Sequence, residues 1–163
     1  MILRLPWWMA LLTLLHGLAH DAGATETALP VPRFVSLRED EVNLRAGPGE
    51  RYPIDWVLTR KGMPVEILQE FDVWRKVRDV QGTEGWVHQR MVTGIRTVVV
   101  TGETRTLHAD PDPASPAVAR AEPGVIAHLL ECRGAWCRVE ARDIKGWLRR
   151  SEMWGVFADE AVP

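Results

Sequence analysis

The sequence predicts an all-β protein made of two tandem small β-barrels preceded by a short export leader. Three observations carry this reading: an apolar N-terminus of leader type, a self-repeat of about sixty residues, and short alternating strands divided by turn residues.

The chain opens Met-Ile-Leu-Arg4, runs apolar from Leu5 to Leu15 and then turns to small residues. That order matches a secretory signal, with its charged start, apolar middle and small-residue cleavage site. Cleavage is expected after Ala24 (Ala22-Gly23-Ala24), with Ala19 (Gly17-Leu18-Ala19) as the alternative, so residues 1–24 are read as the leader. The apolar run is too short to cross a bilayer, which argues against an uncleaved anchor. No cysteine lies near either site to carry a lipid. A periplasmic protein without a stable membrane span after cleavage is the expectation.

Laid against itself, the rest of the chain repeats. Trp74 recurs as Trp136, Gly85-Trp86-Val87 as Gly146-Trp147-Leu148, Gly62-Met63-Pro64-Val65 as Gly124-Val125-Ile126-Ala127, and Asn43-Leu44-Arg45-Ala46 as Thr106-Leu107-His108-Ala109. The offsets of 62, 61, 62 and 63 residues are nearly constant, which chance does not produce over four landmarks. Residues 34–94 form repeat one, 97–156 repeat two, and 157–163 a C-terminal tail. Within each copy, short β-branched runs stand between turns such as Gly47-Pro48-Gly49, Gln81-Gly82 and Asp110-Pro111-Asp112-Pro113. That spacing predicts short antiparallel strands, and closure into a barrel removes the exposed edges of units this small. A copy alone has a marginal core, so the two are expected to pack together, aided by Thr97-Val98-Val99-Val100.

The composition narrows the function. At 46% hydrophobic and 26% charged, the chain is globular; a formal net charge of -2 lacks the basic excess that nucleic acid demands. Both cysteines, Cys132 and Cys137, lie outside the leader, and an even count in an exported chain points to a disulfide. If Gly134-Ala135 is a two-residue turn, Arg133 faces Trp136 and Cys132 faces Cys137 in a non-hydrogen-bonded pair. Such a pair sets Cα atoms about 4.5 Å apart, within disulfide reach. By the repeat offset these cysteines align with Glu70 and Arg75, which predicts a cross-strand Glu70–Arg75 contact in repeat one.

Val42-Asn43-Leu44-Arg45-Ala46-Gly47-Pro48-Gly49, Tyr52-Pro53-Ile54, Gly62-Met63-Pro64-Val65-Glu66-Ile67-Leu68, Trp74-Arg75-Lys76-Val77 and Gly85-Trp86-Val87 together resemble a bacterial SH3 (SH3b) domain. The resemblance covers roughly Phe34 to Gly94 and, more weakly, Thr97 to Val156. With the leader and the Cys-Arg-Gly-Ala-Trp-Cys hairpin, the chain is similar to two-repeat exported SH3-like proteins of Gram-negative bacteria. The resemblance implies a non-catalytic cell-envelope binding or adaptor module that meets cell-wall peptides through the repeat-one loop. There Arg45 and Arg51 would pair with carboxylates while Tyr52 and Trp56 supply an apolar wall. The competing reading has Asn43 and Arg45 bracing the loop and the aromatics filling the core, in a scaffold that binds an envelope protein and no small ligand. Repeat two reads Leu107-His108-Ala109-Asp110-Pro111-Asp112 at the same place, losing the arginine and both glycines, and looks like a structural partner.

Tryptophans 74, 86, 136 and 147 sit at matched sites and are expected in the core; Trp56 and Trp154 fall outside the match and are the surface candidates. Histidines 88, 108 and 128 stand apart with no zinc or triad spacing, and no phosphate-binding glycine loop accompanies them. The expectation is no enzyme, no cofactor and no metal.

Overall fold

A computed structural model describes residues 29–163; the leader expected at 1–24 lies outside them. Repeat one comprises β1 (Arg33–Leu37), β2 (Glu41–Arg45), β3 (Ile54–Thr59), β4 (Pro64–Phe71), β5 (Trp74–Arg78), β6 (Glu84–His88) and β7 (Val92–Thr93). Repeat two comprises β8 (Thr97–Val100), β9 (Arg105–His108), β10 (Ala117–Ala121), β11 (Ile126–Arg133), β12 (Trp136–Ala141), β13 (Ile144–Arg149) and β14 (Met153–Trp154). The first sheet runs in the order β3-β2-β6-β5-β4-β1-β7 and the second in the order β10-β9-β13-β12-β11-β8-β14, so each strand of one has its counterpart in the other. A single 3₁₀ turn precedes the last strand of each, Gln89–Met91 and Arg150–Glu152. The fold is all-β, two tandem SH3-like units.

Alternation builds the cores. In β2, Val42 and Leu44 are buried while Glu41 and Asn43 face water, and they meet Val65, Ile67, Val77 and Val87 in one apolar cluster. The second cluster gathers Val98, Val100, Leu107, Leu129, Val139 and Leu148. The repeated Gly-Trp motif has a steric cause. A Cβ on Gly85 would stand 2.5 Å from Leu44 Cγ, and one on Gly146 would stand 2.8 Å from Leu107 Cβ. Only glycine lets the second strand cross the sixth that closely.

The Gly134 hairpin forms with the predicted register. Arg133 pairs with Trp136 and Cys132 with Cys137, Gly134 takes φ +55, and the cysteines form a disulfide across Cα atoms 4.0 Å apart. At the matching place in repeat one, Glu70 pairs with Arg75, and Arg75 Nε lies 2.9 Å from Glu70 Oε1, with Arg33 on the same carboxylate. An ion pair there occupies the position of the covalent bond.

The two units join along β1 and β8, which lie buried on both faces. Val35 and Leu37 enter the first core, Val98 and Val100 the second. The other faces meet. Ser36 and Thr97 share a hydroxyl hydrogen bond of 2.6 Å, Thr97 also donates to the Gly62 carbonyl at 2.6 Å, and Phe34 contacts Trp154 edge-on with centroids 4.9 Å apart. Trp154 is therefore half-buried at this seam rather than a surface residue.

The tail is tied down as well. Phe157 lies on Phe34 with centroids 4.6 Å apart, Arg150 donates to the Phe157 and Glu160 carbonyls at 2.6 and 2.8 Å, and the Val162 carbonyl accepts from the Cys132 N–H at 2.9 Å. Burial pushes the Glu160 carboxyl up, but hydrogen bonds from Arg96 and the Phe157 N–H, with the charges of Arg96 and Arg150, outweigh it and hold the group below the ordinary glutamate value. A carboxyl lowered by folding stabilises the docked tail above its unfolded pKa, about 4.3, and the effect is lost as the pH falls through the lower folded value.

Two outcomes are expected. Replacing both cysteines by serine destabilises repeat two by about 2 kcal/mol in denaturant titration, the chain-entropy value for so short a loop. Acidification below the glutamate range lowers the protection factor of the Cys132 amide against hydrogen exchange, and Glu160→Gln removes that pH step and lowers the protection already at neutral pH.

Candidate functional site

The loop after β2 closes on itself. The Ala46 N–H donates to Pro53 at 3.1 Å and the Tyr52 N–H to Gly49 at 3.2 Å. Arg45 spans it from inside: Nη1 donates to the Glu50 and Tyr52 carbonyls at 3.2 and 2.8 Å. Over this brace Tyr52 lies flat on Gly47, where a Cβ would stand 2.5 Å from the ring. Neither Gly47 nor Gly49 adopts a positive φ, so close approach of the ring, not backbone freedom, is what Gly47 provides. The Arg51 guanidinium lies over the tyrosine ring at 5.2 Å from the centroid.

Trp56 stands apart from these three. It pairs with Leu44, whereas Arg45 pairs with Ile54 after a bulge, so Trp56 extends on the core side of the strand pair and Arg45 on the outer side. Strand β3 is the sheet edge, no strand pairs beyond it among the described residues, and Trp56 is 63% exposed. It lines a cleft of about 450 Å³ with Leu58, Met63, Gln81 and Thr83. The far wall is fixed by Asp79, whose Oδ1 accepts from the Gln81 and Thr83 N–H groups at 3.0 and 2.8 Å. The structure thus brings Arg45, Arg51 and Tyr52 together and gives Trp56 a separate opening, the mouth of the barrel.

Two of the matched tryptophans, Trp74 and Trp147, are buried and two, Trp86 and Trp136, are half-buried; none joins either apolar cluster. Val87 and Leu148 enter the cores, so Trp86 and Trp147 beside them point to the opposite, outer face. Trp147 is nonetheless 5% exposed, covered by Arg133 at 5.2 Å from its ring; Arg149 covers Trp136 at 5.1 Å, and His88 and His108 meet Trp74 and Trp136 edge-on. Trp86 pairs with Arg45 and Lys76 across β2 and β5, which adds it to the outer-face site. Its direction was legible in Gly85-Trp86-Val87, since Val87 has to face inward. Beside it, the hydrogen bond from Lys76 holds the Glu84 carboxyl below its ordinary value.

The histidines serve turns and rings. His88 Nδ1 accepts from the Arg90 N–H at 3.1 Å, and His108 Nδ1, 3.1 Å from the Ser115 carbonyl, donates to it. Among the described residues, no group of three or more His, Cys, Asp or Glu side chains could hold a metal ion, and no helix is long and apolar enough to cross a membrane.

The family model of the bacterial SH3 domain matches this chain twice, over residues 38–94 and 102–155. The chain belongs to the bacterial SH3 domain family. The protein YrvJ of Bacillus subtilis (strain 168), whose name assigns it as an N-acetylmuramoyl-L-alanine amidase, is 24% identical over 123 residues, covering 69% of this chain and 24% of that protein. Among solved structures, NlpC2 of Trichomonas vaginalis aligns at 14% identity over 77% of this chain and 49% of that one, with a TM-score of 0.36. An NlpC/P60 family protein of Bacillus cereus ATCC 10987 aligns at 15% identity over 80% and 58%, with a TM-score of 0.34. The bacterial SH3 pair thus spans about a quarter of YrvJ and about half of these structures.

Gly47→Ala is expected to lift the Tyr52 ring off the loop at a cost of about 1–3 kcal/mol, the range for overpacking. The chain's single tyrosine makes its ring signals in an NMR spectrum a direct readout, and unchanged shifts would contradict the packing described.

Proposed function

We propose that this bacterial SH3 protein is a non-catalytic cell-envelope module, exported by its leader, that recognises cell-wall peptide through repeat one. One observation carries the reading. An indole 63% exposed on the core side of a barrel, at the lip of an open cleft, contributes little to folding there and offers an apolar wall to a ligand. Arg51 supplies a cation at the loop, and Arg45 acts by holding the Gly47–Tyr52 loop in shape. Family membership supports a binding role. The match to a protein named for cutting the N-acetylmuramoyl-L-alanine bond supports the cell wall as the setting, the matched part being its bacterial SH3 portion.

A scaffold for an envelope protein is the second reading, favoured by the seam that makes both units one body and by the exposed edge β3 with Ile54 and Val57 beside Trp56. Co-sedimentation with purified sacculi separates the two. Retention of the protein is expected, reduced about tenfold by Trp56→Ala, a change at an exposed position that leaves the fold intact. Arg51→Ala is expected to weaken retention less. If the unaltered protein stays in the supernatant, the peptide reading falls and the scaffold stands.

A further inference from the structure

The barrel mouth that Trp56 occupies has a counterpart in repeat two. Leu44 faces Trp56 across β2 and β3, and Leu107 faces Ala119 across β9 and β10. By the same register Ala121 takes the place of Leu58. Small residues stand where repeat one has an indole and a leucine, and the opening grows from about 450 to about 910 Å³. Its floor is apolar, with Leu107, Ala119, Ala121 and Ile144.

Its rim is cationic and belongs to both units. Arg120 and Arg142 come from repeat two, Arg60 and Lys61 from repeat one. None of the four is ion-paired with a carboxylate among the described residues. Two acids, Asp40 and Glu122, also line the cleft, which leaves an excess of two positive charges in a chain whose own net charge is -2. Asp40 is occupied in part, accepting the Lys61 N–H at 3.1 Å. Arg60 Nη2 donates to the Gly124 carbonyl at 2.9 Å and pins the two rims to one another. Strand β10 beside the cleft is the edge of its sheet, with backbone groups free to pair with an extended chain.

We propose that this composite mouth binds a short peptide that carries a free carboxylate and apolar side chains. The volume lies in the range that holds small ligands. The alanine-lined walls leave room for apolar side chains, the open edge of β10 recognises peptide backbone, and the guanidinium and ammonium groups that hold no carboxylate recognise that of the peptide. Repeat two is then a binding unit in its own right, contrary to its reading as a structural partner, and it depends on repeat one for half of its charge. The proposal goes beyond the repeat-one site and does not require Trp56 to bind anything.

The test is an NMR titration of the isotope-labelled protein with N-acetyl-trialanine, as the free acid and as the C-terminal amide. Saturable shifts are expected at Ala119, Ala121, Gly124 and Ile144, with the amide binding about tenfold more weakly. Lys61→Glu combined with Arg142→Glu is expected to cost about the same factor. Ala119→Trp, which installs the repeat-one residue, is expected to abolish binding. Absence of saturable shifts, equal binding of acid and amide, shifts confined to the Trp56 cleft, or displacement of the peptide by an equal concentration of inorganic phosphate would each overturn it. Should a variant fail to fold, the acid and amide comparison on the unaltered protein still decides.

Discussion

The rest of the molecule depends on the seam where β1 and β8 lie back to back. A barrel of about sixty residues buries too little apolar surface to be comfortable alone. Here each barrel turns the outer face of its first strand toward the other. Phe34 and Ser36 alternate with Val35 and Leu37, and Thr97 with Val98, so one strand serves its own core and the joint together. The hydroxyls at the joint are satisfied by each other and by the Gly62 carbonyl, which avoids the cost of burying an unpaired polar group. The seam also sets the turn at Arg60–Gly62 against Gly124, and with it the rim of the second mouth.

The two copies share a backbone and differ in what fills it. Where repeat two has a disulfide between Cys132 and Cys137, repeat one has Glu70 held by Arg75 and Arg33. A covalent bond also constrains the unfolded chain, and an ion pair does not. The bonded hairpin is the one whose Cys132 amide receives the tail, so the stiffer hairpin anchors the segment that returns to cover Phe34. Where repeat one has Trp56, repeat two has Ala119, and the same opening changes from a narrow cleft with an indole wall to a wide one with a cationic rim. One scaffold thus presents two mouths of different chemistry at a fixed separation.

Much of this was legible in the sequence, and the reasons are local. The repeat landmarks mark positions that backbone geometry dictates: Gly85 and Gly146 because Leu44 and Leu107 cross above them, and the Gly134 turn because its register follows from turn type. For the tryptophans, repetition at matched sites predicts burial, which holds for Trp74 and Trp147 and only in part for Trp86 and Trp136, but it does not tell which face they occupy. Matched sites on the outer face repeat just as faithfully, and alternation against Val87 and Leu148 carries the correct direction. The roles of Arg45 and Gly47 were open for a different reason. Whether a guanidinium points to solvent or to carbonyls five and seven residues away depends on loop closure, which no pattern of residue types encodes.

The same limit explains why the second mouth escaped sequence reasoning. Its walls come from strands about forty residues apart and its charge from the other repeat. None of Arg60, Lys61, Arg120 and Arg142 stands in a motif, and the loss of arginine and glycine after Leu107 pointed away from repeat two. Yet Ala119 and Ala121 were visible as small residues in an edge strand where the aligned copy has large ones. In a protein built by repetition, a departure from the repeat at an otherwise matched strand is where a difference in function has room to arise. The departure at Ala119 removes an indole and leaves an open cleft of about 910 Å³ in its place.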